Sequence, residues 1–116
     1  MTNKSSSELS LQEKCLLIAR HEYPDAIRIA KYGLGYHVGY DKMPVTRQEI
    51  IVCLDHQTIG PLIEKYRICL HAFRGGETWL ATKDRISIEQ SNLLDAAICT
   101  LIDYWYPTGI TEEMLK

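Results

Sequence analysis

Residues 32–40 alternate with a period of two. Tyr32, Leu34, Tyr36, Val38 and Tyr40 are large, and Gly33, Gly35, His37 and Gly39 fall between them. In an extended strand, alternate side chains point to opposite faces. The pattern predicts one strand over 32–40 whose aromatic and aliphatic face is directed at the core. Its other face is almost bare backbone, broken by one imidazole. A helix, a flat ring, a ligand or a partner chain can approach such a surface closely.

Helical spacing appears before and after this segment. Ser10-Leu11-Gln12-Glu13 matches a capping box, in which a Ser and a Glu three residues on satisfy each other's backbone N–H groups. Leu11, Cys15, Ile18 and Ala19 then recur on one side, predicting a helix over 11–22 that Pro24 stops. At the other end, Ser87-Ile88-Glu89-Gln90 has the same capping form, and Leu94, Ala97, Ile98, Leu101, Ile102 and Trp105 make one apolar stripe. A final helix opening near Ser87 and closing before Pro107 is expected, with Asn92, Asp95, Cys99 and Asp103 on its opposite face. The N-terminal residues 1–9 read as frayed. Residues 108–116 read as a tail able to add one turn at 111–114.

The middle of the chain is less decided. Ile27 and Ile29 around Arg28 suit a strand leading into the glycine segment, with a short helix ended by Gly33 as the rival. Asp41-Lys42-Met43-Pro44 reads as a turn. Thr46-Arg47-Gln48-Glu49 is a capping box, with Val45 and Ile50 placed as a staple, and so signals a helix. Ile50-Ile51-Val52-Cys53-Leu54 is a β-branched run that suits a buried strand, which is the preferred reading. Pro61 at the start of a short helical turn over 61–65 is favourable. Two strands over 67–73 and 77–83 then flank Gly75-Gly76 as a hairpin, with Arg74 facing Glu77 across the turn. Continuous helical spacing from Leu62 to Phe73 is the competing pattern. The sum is an α+β single domain over 1–116, with an antiparallel sheet flanked by an N-terminal and a C-terminal helix.

Composition narrows the setting. The chain has 116 residues, 46% hydrophobic and 24% charged, enough apolar material for one core. No apolar run approaches the length of a membrane span, and the polar first ten residues hold no apolar stretch of a secretory leader. A cytoplasmic location follows as the expectation. Cys15, Cys53, Cys69 and Cys99 each sit among apolar neighbours and read as reduced core thiols. The formal net charge of −2 argues against a sequence-independent grip on nucleic acid, although residues 61–85 are mildly basic and 86–116 acidic.

Several constellations bear on chemistry. Cys53-x-x-His56 and Cys69-x-His71 offer four zinc-type ligands, but strand geometry turns Cys53 and His56 to opposite sides. Cys53 or Cys69 with His37, His56 or His71 could form a thiol–imidazole pair only if folding brings them together and activates the thiol. Asp55-His56 reads as a polar turn. The glycines match neither a dinucleotide fingerprint nor a phosphate loop. Tyr32, Tyr36 and Tyr40 could stack bases if exposed, yet few cations accompany them.

The remaining expectation is a protein-binding surface made of Tyr104, Trp105 and Tyr106 at the last helix end, Arg74 and Glu77 at the hairpin tip, and Asp95 and Asp103 on the last helix. This predicts a non-enzymatic interaction module without cofactor. Its role would be that of an inhibitor, immunity or accessory protein of phage or mobile-element type, acting by steric occlusion of a partner protein, and a homodimer is compatible with it. A small nucleic-acid-associated regulator is the first alternative. A zinc protein or enzyme using Cys53, His56, Cys69 and His71 is the second.

Overall fold

The computed structural model describes residues 3–39 and 50–115. Helix α1 spans Leu11–Glu22, as the sequence predicts. Ser10 Oγ accepts from the Glu13 amide, and Glu13 reaches back to the Ser10 amide. The segment expected to be one strand over 32–40 is a hairpin instead. Strand β1 (Arg28–Tyr32) and strand β2 (Gly35–Gly39) pair antiparallel, with Tyr32 opposite Gly35. Gly33 and Leu34 make the turn, and Gly33 has φ 58°, a region that favours glycine. The turn interrupts the alternating pattern, so Tyr36 and Val38 reach the core while Tyr32 and Leu34 face solvent. Tyr40 and the Thr46–Glu49 capping signal lie outside the described residues.

Strand β3 (Ile50–Val52) pairs with β2 and completes a first antiparallel sheet in the order β1-β2-β3. The β-branched run therefore forms a strand, shorter than its apolar length. Gly35 permits this packing. A Cβ there would lie 2.2 Å from the Val52 carbonyl oxygen and 2.9 Å from the Cys53 Cβ.

Helix α2 spans His56–Tyr66, five residues earlier than the short turn expected from Pro61. Asp55 is the reason. Its Oδ1 accepts from the Thr58 amide at 2.8 Å and so caps the helix, which makes Asp55-His56 a helix start and not a free turn. Pro61 is carried inside the helix. Arg67, with φ 54°, ends it, and the Ile68 amide bonds back to the Ile63 carbonyl.

Strands β4 (Cys69–Phe73), β5 (Thr78–Lys83) and β6 (Ile86–Gln90) form a second antiparallel sheet in that order. The hairpin loop is Arg74 to Glu77, a four-residue connection with a 3-10 turn in place of a two-residue Gly75-Gly76 turn. Ser87-Ile88-Glu89-Gln90 lies in β6, so this capping box does not open a helix. Pairing with β5 overrides the local signal. Helix α3 (Leu93–Trp105) begins later, where Asn92 Oδ1 accepts from the Leu94 and Asp95 amides.

The architecture is α+β with antiparallel pairing and helices towards both ends, and its strands divide into two sheets. Helix α1 covers one face of the first sheet, and α3 covers β5 and β6 of the second. The two helices pack on each other, and α2 joins them against α3. This position explains why α3 is buried almost all round. Cys99, on the face expected to be polar, is as buried as Ile98. Asp95 there meets Lys14 of α1, and Asp103 accepts from the Ser6 amide. The N-terminal segment is not frayed from Lys4 to Leu9. Lys4 pairs with Ile110, Ser6 is fully buried, and residues 6–8 form a 3-10 turn. The tail contributes Ile110 to the core and a 3-10 turn over Glu112–Leu115. No helix among the described residues is long and apolar enough to cross a membrane.

Candidate functional site

The residues expected to form one binding surface are distributed over three places. Trp105 belongs to a half-buried aromatic cluster. Its indole stacks on the His21 ring at 3.8 Å and 10°, with Tyr66 edge-on at 5.5 Å. Tyr106 is half-buried against the core, and burial raises its phenol above the ordinary range. Tyr104 remains exposed, with the Lys83 ammonium 4.6 Å from its ring centre. At the hairpin tip, Arg74 pairs with Glu89 of β6 at 2.6 Å and not with Glu77, which is exposed. Thr78 Oγ also donates to Glu89, so the arginine is tied down over its own sheet. Asp95 and Asp103 serve the packing of α1 and of the N-terminal segment on α3.

The zinc-type quartet is not assembled. Among the described residues, no three His, Cys, Asp or Glu side chains come together as a metal site. Cys53 sits just after β3, and its thiol donates to Asp55 Oδ2 at 2.8 Å. Burial and then this hydrogen bond raise the Cys53 thiol. That is the opposite of the depressed value an activated nucleophile requires. Cys15 and Cys99 are core thiols, and burial pushes Cys15 up to about 11. Cys69 differs from the expectation and is exposed on β4.

Below the aromatic cluster, Glu22 gathers three donors. Its carboxylate accepts from Tyr66 Oη at 2.5 Å and Lys65 Nζ at 2.9 Å, and it faces His21 Nδ1 at 3.2 Å. Burial raises the Glu22 carboxyl, but the Tyr66, Lys65 and His21 contacts outweigh it and the net direction is down. A carboxyl lowered on folding stabilises the protein above its unfolded value, about 4.3 for Glu, and that contribution is lost as pH falls through the folded value. Glu22→Gln is therefore expected to flatten the acid side of the stability profile, measured by urea unfolding at stepped pH. An unchanged acid slope would show that other carboxyls dominate.

Two of the side chains expected in the core, Tyr32 and Leu34, lie on the outer face of the first sheet and at its turn, while Tyr36 and Val38 are in the core. Cross-strand partners share a face, so Ala30, Tyr32, His37 and Ile51 stand together opposite α1. Tyr32 is 57% exposed, Ile51 45% and Leu34, at the adjoining turn, 72%. Ile27, before β1, is exposed as well. The Tyr32 ring stacks on His37 at 5.2 Å and 20°. Gly39 leaves room for Arg28, whose Nη2 would lie 2.9 Å from a Cβ at that position. On this face the described strands carry Arg28 and His37 and no acidic residue, while Lys31, opposite Tyr36, belongs to the α1 side. The sheet thus offers a flat, partly aromatic face. The alternation was visible in the sequence, but its interruption at Gly33-Leu34 decides which tyrosines are outside.

A groove of about 520 Å³ lies between the N-terminal segment, β6 and residues 103–109. Its one carboxylate, Asp103, is occupied by the Ser6 amide. No protein-family model matches the chain, and no curated protein is significantly similar to it.

Proposed function

We propose that the protein is an interaction module whose docking face is the outer side of the first sheet, centred on Tyr32, Leu34, His37 and Ile51. One observation carries this reading. Three of the six exposed large hydrophobic side chains among the described residues, Tyr32, Leu34 and Ile51, belong to this sheet and its turn, and Ile27 precedes its first strand. Apolar side chains scattered singly over a surface are ordinary, whereas a collected set with aromatic anchors marks a contact site. The lack of acid on this face of the described strands favours a partner protein with an acidic rim around an apolar patch. Function follows by occlusion of that partner's own site, as an inhibitor, immunity or accessory protein does.

The test is capture from host lysate with the wild type and with Tyr32→Ala/Leu34→Ser. Both side chains are exposed, so the variant should keep its stability within about 1 kcal/mol. A stoichiometric protein partner is expected for the wild type, recovered at least about tenfold less by the variant. Equal recovery by both would refute the assignment of this face. The exposed Tyr32–His37 stack, on the face that carries Arg28, also suits single-stranded nucleic acid. Recovery of nucleic acid alone, released by moderate salt, would favour that reading instead.

A further inference from the structure

The second sheet exposes an edge that lacks the usual protections. Strand β4 lies first in the order β4-β5-β6, and its outer side has no strand partner among the described residues. Helix α3 covers β5 and β6, so β4 overhangs the helical layer. Ala72, on the helix side, is exposed, as are Cys69, His71 and Phe73 on the far side. Natural edge strands are blunted by lysine, proline, bulges or shortness. Strand β1 carries Arg28 and Lys31, β6 carries Glu89, and β3 has only three residues. Strand β4, Cys-Leu-His-Ala-Phe, has no Lys, Arg, Asp, Glu or Pro and pairs with β5 without a bulge over its five residues.

We infer that β4 pairs antiparallel with β4 of a second copy of this chain, joining the two second sheets into one six-stranded sheet. A two-fold axis perpendicular to the sheet relates such strands. Directly opposed residues point to the same face, so the axis passes between one residue and its own copy, which stand opposite each other. Centred on His71, it pairs the whole strand; centred elsewhere, it leaves part of the strand unmatched. This register is complementary in size. Phe73 faces the second copy's Cys69 on the outer side, and Leu70 faces the second copy's Ala72 on the helix side. Each large side chain meets a small one, and the two His71 side chains stand opposite each other at the axis. The match of the strand to itself selects a second copy over an unrelated strand. The surface is separate from the face around Tyr32, and the inference does not rest on that assignment.

The full chain is examined by sedimentation over roughly 1 to 500 μM, a range that brackets weak to moderate self-association. A reversible monomer–dimer equilibrium is expected. His71→Lys places two ammonium groups across the axis and should weaken the dimer by about tenfold or more. Ala72→Lys should do the same from the other face, and thermal melts report whether either variant is folded. Tyr32→Ala/Leu34→Ser should leave the dimer intact. Register is read by oxidation in a Cys69→Ser background. His71→Cys is expected to form an intermolecular disulfide, and Ala72→Cys, facing Leu70, is not. A wild type monomeric throughout, a dimer indifferent to both lysines, or equal cross-linking at 71 and 72 would overturn the proposal.

Discussion

Asp95→Ala is expected to lower the stability of the protein by about 3 kcal/mol, the lower end of what breaking a buried ion pair costs. Lys14 Nζ lies 2.6 Å from Asp95 Oδ1, and the lysine side chain is only 7% exposed against 26% for the aspartate. Removing the carboxylate leaves an ammonium enclosed between α1 and α3 and takes the Cys99 thiol's acceptor with it. The partial exposure of Asp95 sets the lower end, because water reaches one side of the pair. Lys14→Met/Asp95→Leu should recover most of the loss, to within about 1.5 kcal/mol of the wild type, since two apolar side chains of similar volume need no mutual compensation. Urea unfolding of Lys14→Met, Asp95→Leu and their double gives the coupling directly. Additive losses in that cycle would mean that the two charges are independent.

The pH behaviour of this pair follows with its sign. Burial pulls the Lys14 amine down, but its hydrogen bond to Asp95, its contact with Cys99 and the charge of Asp95 outweigh that and raise it overall. A raised amine contributes fully below its unfolded value, about 10.4, and the contribution disappears as pH rises through the folded value. The lysine side of the pair is thus silent at neutral pH. Acid sensitivity near the aromatic cluster belongs to Glu22, whose carboxyl is lowered.

What the sequence discloses depends on whether a signal is local. Helix α1 is legible to its ends because Ser10, Glu13 and Pro24 act within one or two turns. The hairpin of β4 and β5 is legible from its alternation and its glycines, although the loop opens to four residues and Arg74 turns to Glu89 on a third strand. Ser87 to Gln90 has the form of a capping box and becomes β6, because the edge of β5 supplies partners that an isolated segment lacks. Helix α2 is hidden by Gly60-Pro61, which reads as a boundary, while the cap that starts it is Asp55. The face around Tyr32 is misread for a reason of one residue. Gly33 takes a positive φ, the chain reverses, and side chains counted as core end on the outside.

Trp105 separates packing from binding, the two roles that a Tyr-Trp-Tyr run at a helix end leaves open. Trp105→Ala should lower stability by about 3 kcal/mol, near the lower limit for truncating a large aromatic because the ring is half-buried. The loss falls on the contacts with His21 and Tyr66, and through His21 on the setting of Glu22. The indole N–H makes a second variant informative. Nε1 is buried and has no hydrogen-bond acceptor among the described residues. A buried donor without a partner costs about 1–3 kcal/mol, so Trp105→Phe removes that penalty together with part of the ring. The two effects oppose, and Trp105→Phe should lie within about 1 kcal/mol of the wild type. Denaturant unfolding measures both. If partner capture by Trp105→Ala falls only as far as its folded fraction falls, while Tyr32→Ala/Leu34→Ser loses capture with its stability intact, the interface is on the first sheet. If Trp105→Phe unfolds as readily as Trp105→Ala, the indole nitrogen has a structural acceptor and the cluster is held by more than stacking.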